Sequence, residues 1–351
     1  MSNKKPILGI IGGGQLGSML CQAAKKLNIN TTILTDDPDA PAQNFCNNFI
    51  YTDYNNKSEI EKFAYSCDFI TFEFENIPFE ILQEISNIKQ VRPDPKINKI
   101  VQNRFSEKNF INSLGITTTE FAFIKTKNDI EKNKKLLPGI LKTCLLGYDG
   151  KGQSVINSME DVKKELSPSV DFILEKFINL KQEISVIITR FENGDCSIYE
   201  PIENVHQEQI LRSSTIPANI SKELFNQAHT IAKIISEKLE YIGTMCVEYF
   251  IDHNNKLYVN EIAPRVHNSG HLTINAFNVS QFENHVRAVC GLDNITLQKK
   301  SDAQMFNIIG ADITNYRNKK LKNEEFFFDY MKKEIKSKRK MGHITTLIKK
   351  Q

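Results

Sequence analysis

The chain opens by alternating apolar strand, glycine turn, helix and strand, and few folds accept that alternation. Ile7-Leu-Gly-Ile-Ile11 is a short apolar run, Gly12-Gly-Gly-Gln-Leu-Gly17 a turn, and Ser18 to Leu27 a helical stretch. Asn28-Ile-Asn30 breaks the helix, and Thr31-Thr-Ile-Leu34 is the next strand. Phe49-Ile-Tyr51 and Asp68-Phe-Ile-Thr-Phe72 add strands, with helical Lys57 to Tyr65 between them. Strands separated by helices need crossover connections, so the pattern predicts a parallel sheet with helices on both faces.

Val91-Arg92-Pro93-Asp94-Pro95 is stiff and incompatible with helix, which marks a first boundary. A helical stretch from Lys96 to Leu114 follows, ended by Gly115. The middle then turns β-rich, at Phe121 to Ile124, Gly139 to Thr143, Phe172 to Phe177 and Ile184 to Arg190. A long helix from Ser221 to Leu239 precedes strands near Met245 and Leu257, and a short third segment past Gly291 ends in a basic tail. The expectation is a three-part α/β and α+β architecture.

Composition excludes several classes. At 351 residues the chain is long enough for two or three domains. Its 45 basic and 42 acidic residues leave a formal charge of +3, too little for an electrostatic nucleic-acid surface. No apolar run reaches the roughly 18 residues of a spanning helix. Met1 to Pro6 leads straight into a strand-like run, so no secretory signal and no membrane partner are expected. The seven cysteines are scattered and form no C-x-x-C, which fits reduced thiols in a cytoplasmic protein better than disulfides or zinc. Arg317 to Lys340 holds ten basic and four acidic residues. This tail reads as a solvated face, with Arg339 and Lys340 as candidate phosphate or carboxylate contacts.

Four stretches carry chemistry. Gly12-x-Gly14-x-x-Gly17 follows a strand and opens a helix, with Asp36 and Asp37 further on. Backbone amides at such a turn suit a dinucleotide, another phosphate or no ligand at all, and this motif alone does not choose. Met245 to Asp252 and Leu257 to Ile262 look like hairpin arms around His253-Asn-Asn-Lys256. Pairing Asp252 with Leu257 sets Glu248 directly opposite Glu261. Facing like charges destabilise a sheet and would raise at least one carboxyl pKa unless a cation sits between them. Oxygen-only ligands suit Mg²⁺, and Asn260 could add a neutral oxygen. A slipped register or a solvent edge is the alternative.

Gly139-Ile-Leu-Lys-Thr143 carries Lys142 in an apolar run, and Gly147-Tyr-Asp-Gly-Lys-Gly-Gln153 follows. Three glycines among seven residues, with Asp149 and Lys151, describe a flexible phosphate-covering flap above a fixed cation, or else an ordinary turn. Glu175 and Glu183 end neighbouring strands, where carboxylates can accept from ribose hydroxyls or simply lie exposed. Ala263-Pro-Arg-Val-His-Asn-Ser-Gly-His271 is the densest mixture of polar types in the chain. Arg265 offers a planar fork for carboxylate, bicarbonate or phosphate, and His267 and His271 are acid, base, donor or structural candidates.

Together these stretches resemble the ATP-grasp superfamily and, within it, the 5-(carboxyamino)imidazole ribonucleotide synthases of purine biosynthesis. The resemblance rests on GGGQLG at Gly12 to Gly17, TFEFEN at Thr71 to Asn76, GYDGKGQ at Gly147 to Gln153, and NEIAPRVHNSGH at Asn260 to His271. SQFENHVRAVCGL at Ser280 to Leu292 and RKMGH at Arg339 to His343 extend it to nearly the whole chain. It implies an ATP-grasp fold with an N-terminal Rossmann-like domain over 1–95. A central ATP-grasp domain over 96–291 would contain a mobile glycine-rich subdomain at about 117–178, and a small C-terminal domain would span 292–351.

The implied reaction is a carbon–nitrogen ligation. Bicarbonate attacks the ATP γ-phosphate, and the resulting carboxyphosphate carboxylates the amine of 5-aminoimidazole ribonucleotide. By motif, Arg104, Lys142, Gly147, Tyr148, Asp149, Gly150, Lys151, Gly152, Gln153, Glu175, Lys176, Phe177, Ile178, Glu183, His206, Asn260 and Glu261 would contact ATP. Glu248 and Glu261 would hold Mg²⁺. Gln15, Leu16, Glu73, Tyr148, Arg265, His267, Asn268, Ser269, Arg339 and Lys340 would surround the ribonucleotide and bicarbonate. Lys142, Asp149, Arg265 and His267 would be the catalytic set, in a homodimer.

The chain departs from the family pattern at Cys144-Leu145-Leu146, where basic residues are common, at Leu272 in place of a usual Trp, and at Thr35 in place of an acid. The rival readings are a formate-dependent glycinamide ribonucleotide formyltransferase, a nicotinamide oxidoreductase resting on the glycine loop, and a silent ATP-grasp binding module.

Overall fold

The computed structural model describes residues 5–147, 152–164, 166 and 169–349. Strand β1 (Ile7–Ile11), helix α1 (Gln15–Lys26), β2 (Asn30–Thr35), β3 (Asn48–Tyr51), α2 (Lys57–Ser66) and β4 (Phe69–Phe72) follow the alternation expected. The four strands form one parallel sheet in the order β3-β2-β1-β4. Helix α1 starts at Gln15 rather than Ser18, because the Gly14 carbonyl already accepts from the Ser18 amide at 3.0 Å.

Helix α3 (Phe79–Ser86) leads to a second difference. The single helix expected over Lys96 to Leu114 is two, α4 (Pro95–Val101) and α5 (Arg104–Ser113). Asn103 divides them: its side chain accepts from the amides of Phe105 (3.0 Å) and Ser106 (3.1 Å), an N-cap that competes with continued helix. Gln102 meanwhile donates to the carbonyls of Glu75 (2.6 Å) and Ile77 (2.8 Å). The break places Arg104 on the first turn of α5, where its amide bonds the Cys144 carbonyl.

A small sheet, ordered β5-β8-β6-β7, comes next: β5 (Phe121–Ile124), α6 (Lys127–Lys132), β6 (Gly139–Thr143), β7 (Gln153–Ile156) and β8 (Phe172–Lys176). It has its own core of Ile124, Ile130, Leu141, Ile156, Phe172 and Leu174. The remaining elements are β9 (Leu180–Arg190), β10 (Cys196–Ile198), β11 (Ile202–Gln207), β12 (Ile210–Ile216), α7 (Lys222–Lys238), β13 (Gly243–Asp252) and β14 (Leu257–Ala263). After them come α8 (Thr273–Ala276), α9 (Gln281–Val289), β15 (Asp302–Ile309), α10 (Ile313–Arg317), β16 (Glu325–Asp329) and β17 (Lys340–Ile348). Among the described residues their strands build one large sheet, β14-β13-β9-β11-β12-β15-β17-β16, with β10 paired to β9. The strands of the third segment thus continue the central sheet through β12 and β15. No helix among the described residues is long and apolar enough to cross a membrane.

The β13–β14 hairpin corrects the expected register. Ile251, not Asp252, pairs with Leu257. Asp252 ends β13 and caps the turn, its Oδ1 accepting from the amides of Asn254 and Lys256, both at 2.9 Å. A bulge between Glu248 and Tyr249 then leaves Asn260 as an extra residue on β14, and beyond it Glu248 does oppose Glu261. The expected pair is present although the register used to derive it holds only beyond the bulge.

Helix α9 fastens the N-terminal sheet to the central one. Leu8, Ile10, Met19 and Leu20 share a core with Phe282, Val286 and Val289. Within the contact, His285 Nδ1 accepts from the Thr244 amide at 3.0 Å, so the proton lies on Nε2, which donates to Thr71 Oγ1 at 2.8 Å. Burial pushes the His285 pKa down to about 4 and that of His343 to about 3. In the unfolded chain both titrate near 6.5. The unfolded state therefore binds more protons between these values, and stability falls as pH drops below about 6.5. For His285 alone the loss by pH 4 is roughly 3 kcal/mol. Urea unfolding at pH 7.5 and pH 5.0 should give the lower midpoint at pH 5.0; equal midpoints would contradict this account.

Candidate active site

The facing carboxylates lie opposite each other on the hairpin, and each has a hydrogen-bonding partner of its own. Glu248 Oε1 lies 2.9 Å from His267 Nε2, and Glu261 Oε2 accepts from Arg104 Nη1 at 2.9 Å. Burial would push the Glu248 carboxyl up, but His267, with His206 and Arg265, outweighs it and holds the pKa at about 2. The raised carboxyl expected within the facing pair therefore does not fall on Glu248. It is found behind the hairpin: Glu107 on α5, which accepts from the Ile262 amide at 2.6 Å, is pushed up to about 8 by burial and then by Glu261. Asn260 Oδ1, on the bulge, is buried without a hydrogen-bond partner. Two carboxylates and an unpartnered amide oxygen at neighbouring hairpin positions are oxygen donors of the kind that suit Mg²⁺, although Cys246 Sγ and a His267 ring nitrogen also lie within 4.8 Å of a Glu248 oxygen.

Strand β6 carries Lys142 into the interior, where it donates to Glu175 Oε2 at 2.9 Å. Lys108 of α5 lies 3.3 Å from the other carboxylate oxygen and also donates to Thr119 Oγ1 and the Asn260 carbonyl. Burial disfavours the Glu175 charge, yet the two lysines hold its pKa at about 2. Glu175 is thus a buried counter-ion between two ammonium groups and not an exposed strand end. Glu183 and His206, on the adjacent strands β9 and β11, approach to 2.7 Å. Burial opposes the His206 charge, and Glu183 overcomes that to raise its pKa.

Lys176, Phe177 and Ile178 line a cavity of about 370 Å³ with Thr117–Glu120, Asp252–Asn254, Lys256 and Tyr258, where the small sheet meets the hairpin. Arg104 Nη2 donates to the Gly147 carbonyl at 3.1 Å. Gly152 has φ +73, and Gln153 opens β7. Tyr148, Asp149, Gly150 and Lys151 lie outside the described residues.

The glycine loop holds an anion, but one of the chain's own. Glu73, just past β4, accepts from the amides of Gly14 (2.5 Å) and Gly17 (2.7 Å). A Cβ on Gly12 or Gly14 would lie 2.7 Å from Glu73, which explains the glycines without any phosphate. The dinucleotide option loses its anion cradle to this carboxylate. Gly12 also has φ +96, so Gly12→Ala should cost roughly 2–3 kcal/mol, checked by urea unfolding. A change below about 0.5 kcal/mol would contradict the packing argument.

Arg265 likewise meets a carboxylate from the same motif. Its Nη2 donates to Glu75 Oε1 at 2.8 Å, and its Nε bonds Glu75 Oε2. The fork read as open to a ligand thus faces Glu75, with Nη1 on the Val266 carbonyl. His267 Nδ1 accepts from Ser269 Oγ at 2.8 Å. Asn268 bonds Asn307, and His271 is buried beside Gln281 with its pKa well below the usual value because of burial. His271 is therefore a neutral structural histidine. On the other flank, Lys332 Nζ links Gln15 Oε1 (2.8 Å) to the Lys340 carbonyl (2.7 Å), while Arg339 Nη1 bonds the Glu334 carbonyl. Leu16 is buried beneath the loop.

The structure so brings Arg104, Lys142, Glu175, Asn260, Glu261, Glu248, His267 and Arg265 into one contiguous set, and Glu73 joins it through its charge interaction with Arg265. Sequence reasoning missed Glu75, Glu107, Lys108 and Gln281. Lys108 had a signal, since it shares a helix face with Ile111, where a lone lysine must find a partner. Gln281, whose side chain brackets the His267 backbone at 2.9 and 2.6 Å, had none.

A ribonucleotide synthetase preATP-grasp domain matches residues 5–102, an ATP-grasp domain 109–282, and a phosphoribosylaminoimidazole carboxylase C-terminal domain 303–351. N5-carboxyaminoimidazole ribonucleotide synthase of Bacillus subtilis is 37% identical over 346 residues, covering 97% of this chain and 90% of that protein. The protein of the same name from Brucella melitensis is 38% identical over 346 residues, covering 97% and 96%. Among solved structures, the Staphylococcus aureus synthetase complexed with ADP superposes with a TM-score of 0.93 at 36% identity, covering 100% and 95%. The Aspergillus clavatus synthase in complex with ADP and 5-aminoimidazole ribonucleotide gives 0.90 at 26% identity, covering 98% and 94%.

Proposed function

Because the chain belongs to the N5-carboxyaminoimidazole ribonucleotide synthase family of ATP-grasp ligases, we propose that the face carrying Glu248 and Glu261 is where its three substrates meet. The enzyme carboxylates the amine of 5-aminoimidazole ribonucleotide at the expense of ATP, in purine biosynthesis. Bicarbonate is the carbon source in this reading. One of its oxygens forms a bond to the γ-phosphorus as the β–γ bridging bond breaks, leaving ADP and carboxyphosphate. The carboxyl carbon then passes to the exocyclic amine, which loses a proton, and phosphate departs.

Each step asks something of particular residues. Glu248, Glu261 and Asn260 would hold Mg²⁺, which supplies charge neutralisation at the transferring phosphate. Lys142 and Arg104 are the cations for the phosphates, and both are already fixed by carboxylates, so little ordering remains on binding. Glu183, steadied by His206, faces the ribose hydroxyls in this assignment. Arg265, held in position by Glu75, would place bicarbonate, with His267 beside it directing its Nε2 proton toward Glu248. Glu73 and Gln15 would form the ribonucleotide side with Lys340. Phe177 and Ile178 would flank the adenine, and the segment from Tyr148 to Lys151 would cover the phosphates.

The observation that carries the reading is the Glu248–Glu261 pair beside an unpartnered Asn260 oxygen. Family membership supports a homodimer, and seven free thiols fit a reducing, cytoplasmic setting. Release of ADP from Mg²⁺-ATP tests it, with 5-aminoimidazole ribonucleotide and bicarbonate added singly and together. Strong stimulation by the pair is expected; equal turnover with formate and glycinamide ribonucleotide would overturn it.

A further inference from the structure

A stripe of buried polar side chains crosses the central sheet toward the carboxylate pair, and apart from Ser269 none of its members is a candidate substrate contact. Ser214 on β12, Ser185 on β9 and Ser269 after β14 are fully buried, and Asn204 on β11 is 6% exposed. Apolar side chains would fill such positions at lower free energy, unless every polar group is used. Each is used, and in one direction. Ser214 Oγ donates to Asn204 Oδ1 at 2.8 Å, and Asn204 Nδ2 donates to Ser185 Oγ at 2.9 Å. Ser185 and Ser269 hydroxyls lie 2.8 Å apart, and Ser269 Oγ lies 2.8 Å from His267 Nδ1.

The backbone fixes the direction of this chain. The Ser269 amide also points at His267 Nδ1, at 3.3 Å, so that nitrogen is an acceptor. The Ser269 hydroxyl must then donate to it, Ser185 must donate to Ser269, and the Asn204 amide nitrogen supplies Ser185. With Nδ1 accepting, the imidazole proton stands on Nε2, 2.9 Å from Glu248 Oε1. Sheet pairing preserves the spacing: Asn204 is the cross-strand partner of Ser214, and Ser185 that of Glu248.

We propose that this one-way relay, from Ser214 through Asn204, Ser185 and Ser269, locks His267 in the Nε2–H tautomer and thereby orients Glu248 for a divalent cation. Ser185 and Asn204 are positioning residues, since they touch neither substrate nor metal. The role toward the cation rests on the assignment of Glu248 above, whereas the tautomer lock does not. Partners of metal-binding carboxylates and histidines typically change metal affinity by about 10- to 100-fold when removed.

The test uses Ser185→Ala in the full chain, with Ser214→Ala as a second variant should the first not fold. ¹⁵N-histidine spectra of the metal-free protein, with His267 assigned from a His267→Asn spectrum, report the tautomer directly. The wild type should show Nε2–H alone, and the variants a mixture. The Mg²⁺ concentration for half-maximal ATP turnover should rise about tenfold in Ser185→Ala, while kcat at saturating Mg²⁺ changes less than about threefold. A folded variant with an unchanged tautomer, or with an unchanged Mg²⁺ requirement, overturns the relay. Absence of Mg²⁺-dependent turnover in the wild type would instead overturn the functional assignment and leave the spectra to decide the lock.

Discussion

Glu261→Gln should lower Mg²⁺-ATP turnover by at least about 10²- to 10³-fold while leaving the fold intact. The amide keeps the shape and one oxygen but removes a full negative charge from the donor set. The charge belongs to a set of two carboxylates, so its loss weakens the cation site and the phosphate positioning together. Stability should change little, because losing the Glu261 charge also removes part of what pushes the Glu107 carboxyl up, which leaves Glu107 to serve as the acidic neighbour of Arg104. Circular dichroism and urea midpoints would establish the fold, and ADP release at several Mg²⁺ concentrations the defect. Near-normal turnover would remove the hairpin carboxylates from the chemistry.

Glu175→Gln should have the largest effect on stability, a loss of roughly 3–5 kcal/mol. Lys108 and Lys142 both rely on this carboxylate, and both are buried. With an amide in its place, two ammonium groups face each other in the interior without a counter-charge. Chemical denaturation at pH 7.5 measures the loss; a change under about 1 kcal/mol would mean that solvent reaches the lysines. Substituting the exposed partner of a surface pair, such as Lys62 with Glu59, should by comparison change stability by less than about 1 kcal/mol.

How legible the molecule was depended on the range of the interactions. The N-terminal parallel sheet follows from local alternation, and the hairpin from two apolar arms around a polar turn. Strands β10 to β12 and β15 to β17 escaped notice because buried polar residues such as Asn204, Ser214 and His343 break their apolar rhythm. The split between α4 and α5 depends on a side-chain cap at Asn103, which periodicity does not register. The Glu248–Glu261 pair was found through a register that the bulge at Asn260 replaces near the turn, so an inserted residue compensated for a misplaced turn boundary.

The electrostatic partners were the least visible part. Glu73 reaches the glycine loop, and Glu75 reaches Arg265, across 59 and 190 positions of the sequence. A glycine-rich turn that looks like a phosphate cradle cannot reveal that its own chain supplies the anion. Glu107 looks like a solvated helix residue until packing against β14 buries it, and Lys108, although it shares a face with Ile111, gives no hint of which carboxylate it meets. The motif resemblance named the candidate site residues, and the charge balance among them required the three-dimensional arrangement.

The most direct test of the account follows oxygen. Turnover with ¹⁸O-bicarbonate, ATP and 5-aminoimidazole ribonucleotide should place one bicarbonate oxygen in the released phosphate, because that oxygen bonds to the γ-phosphorus before the carbon leaves. Unlabelled phosphate formed alongside carboxylated product would contradict phosphoryl transfer to bicarbonate at this site.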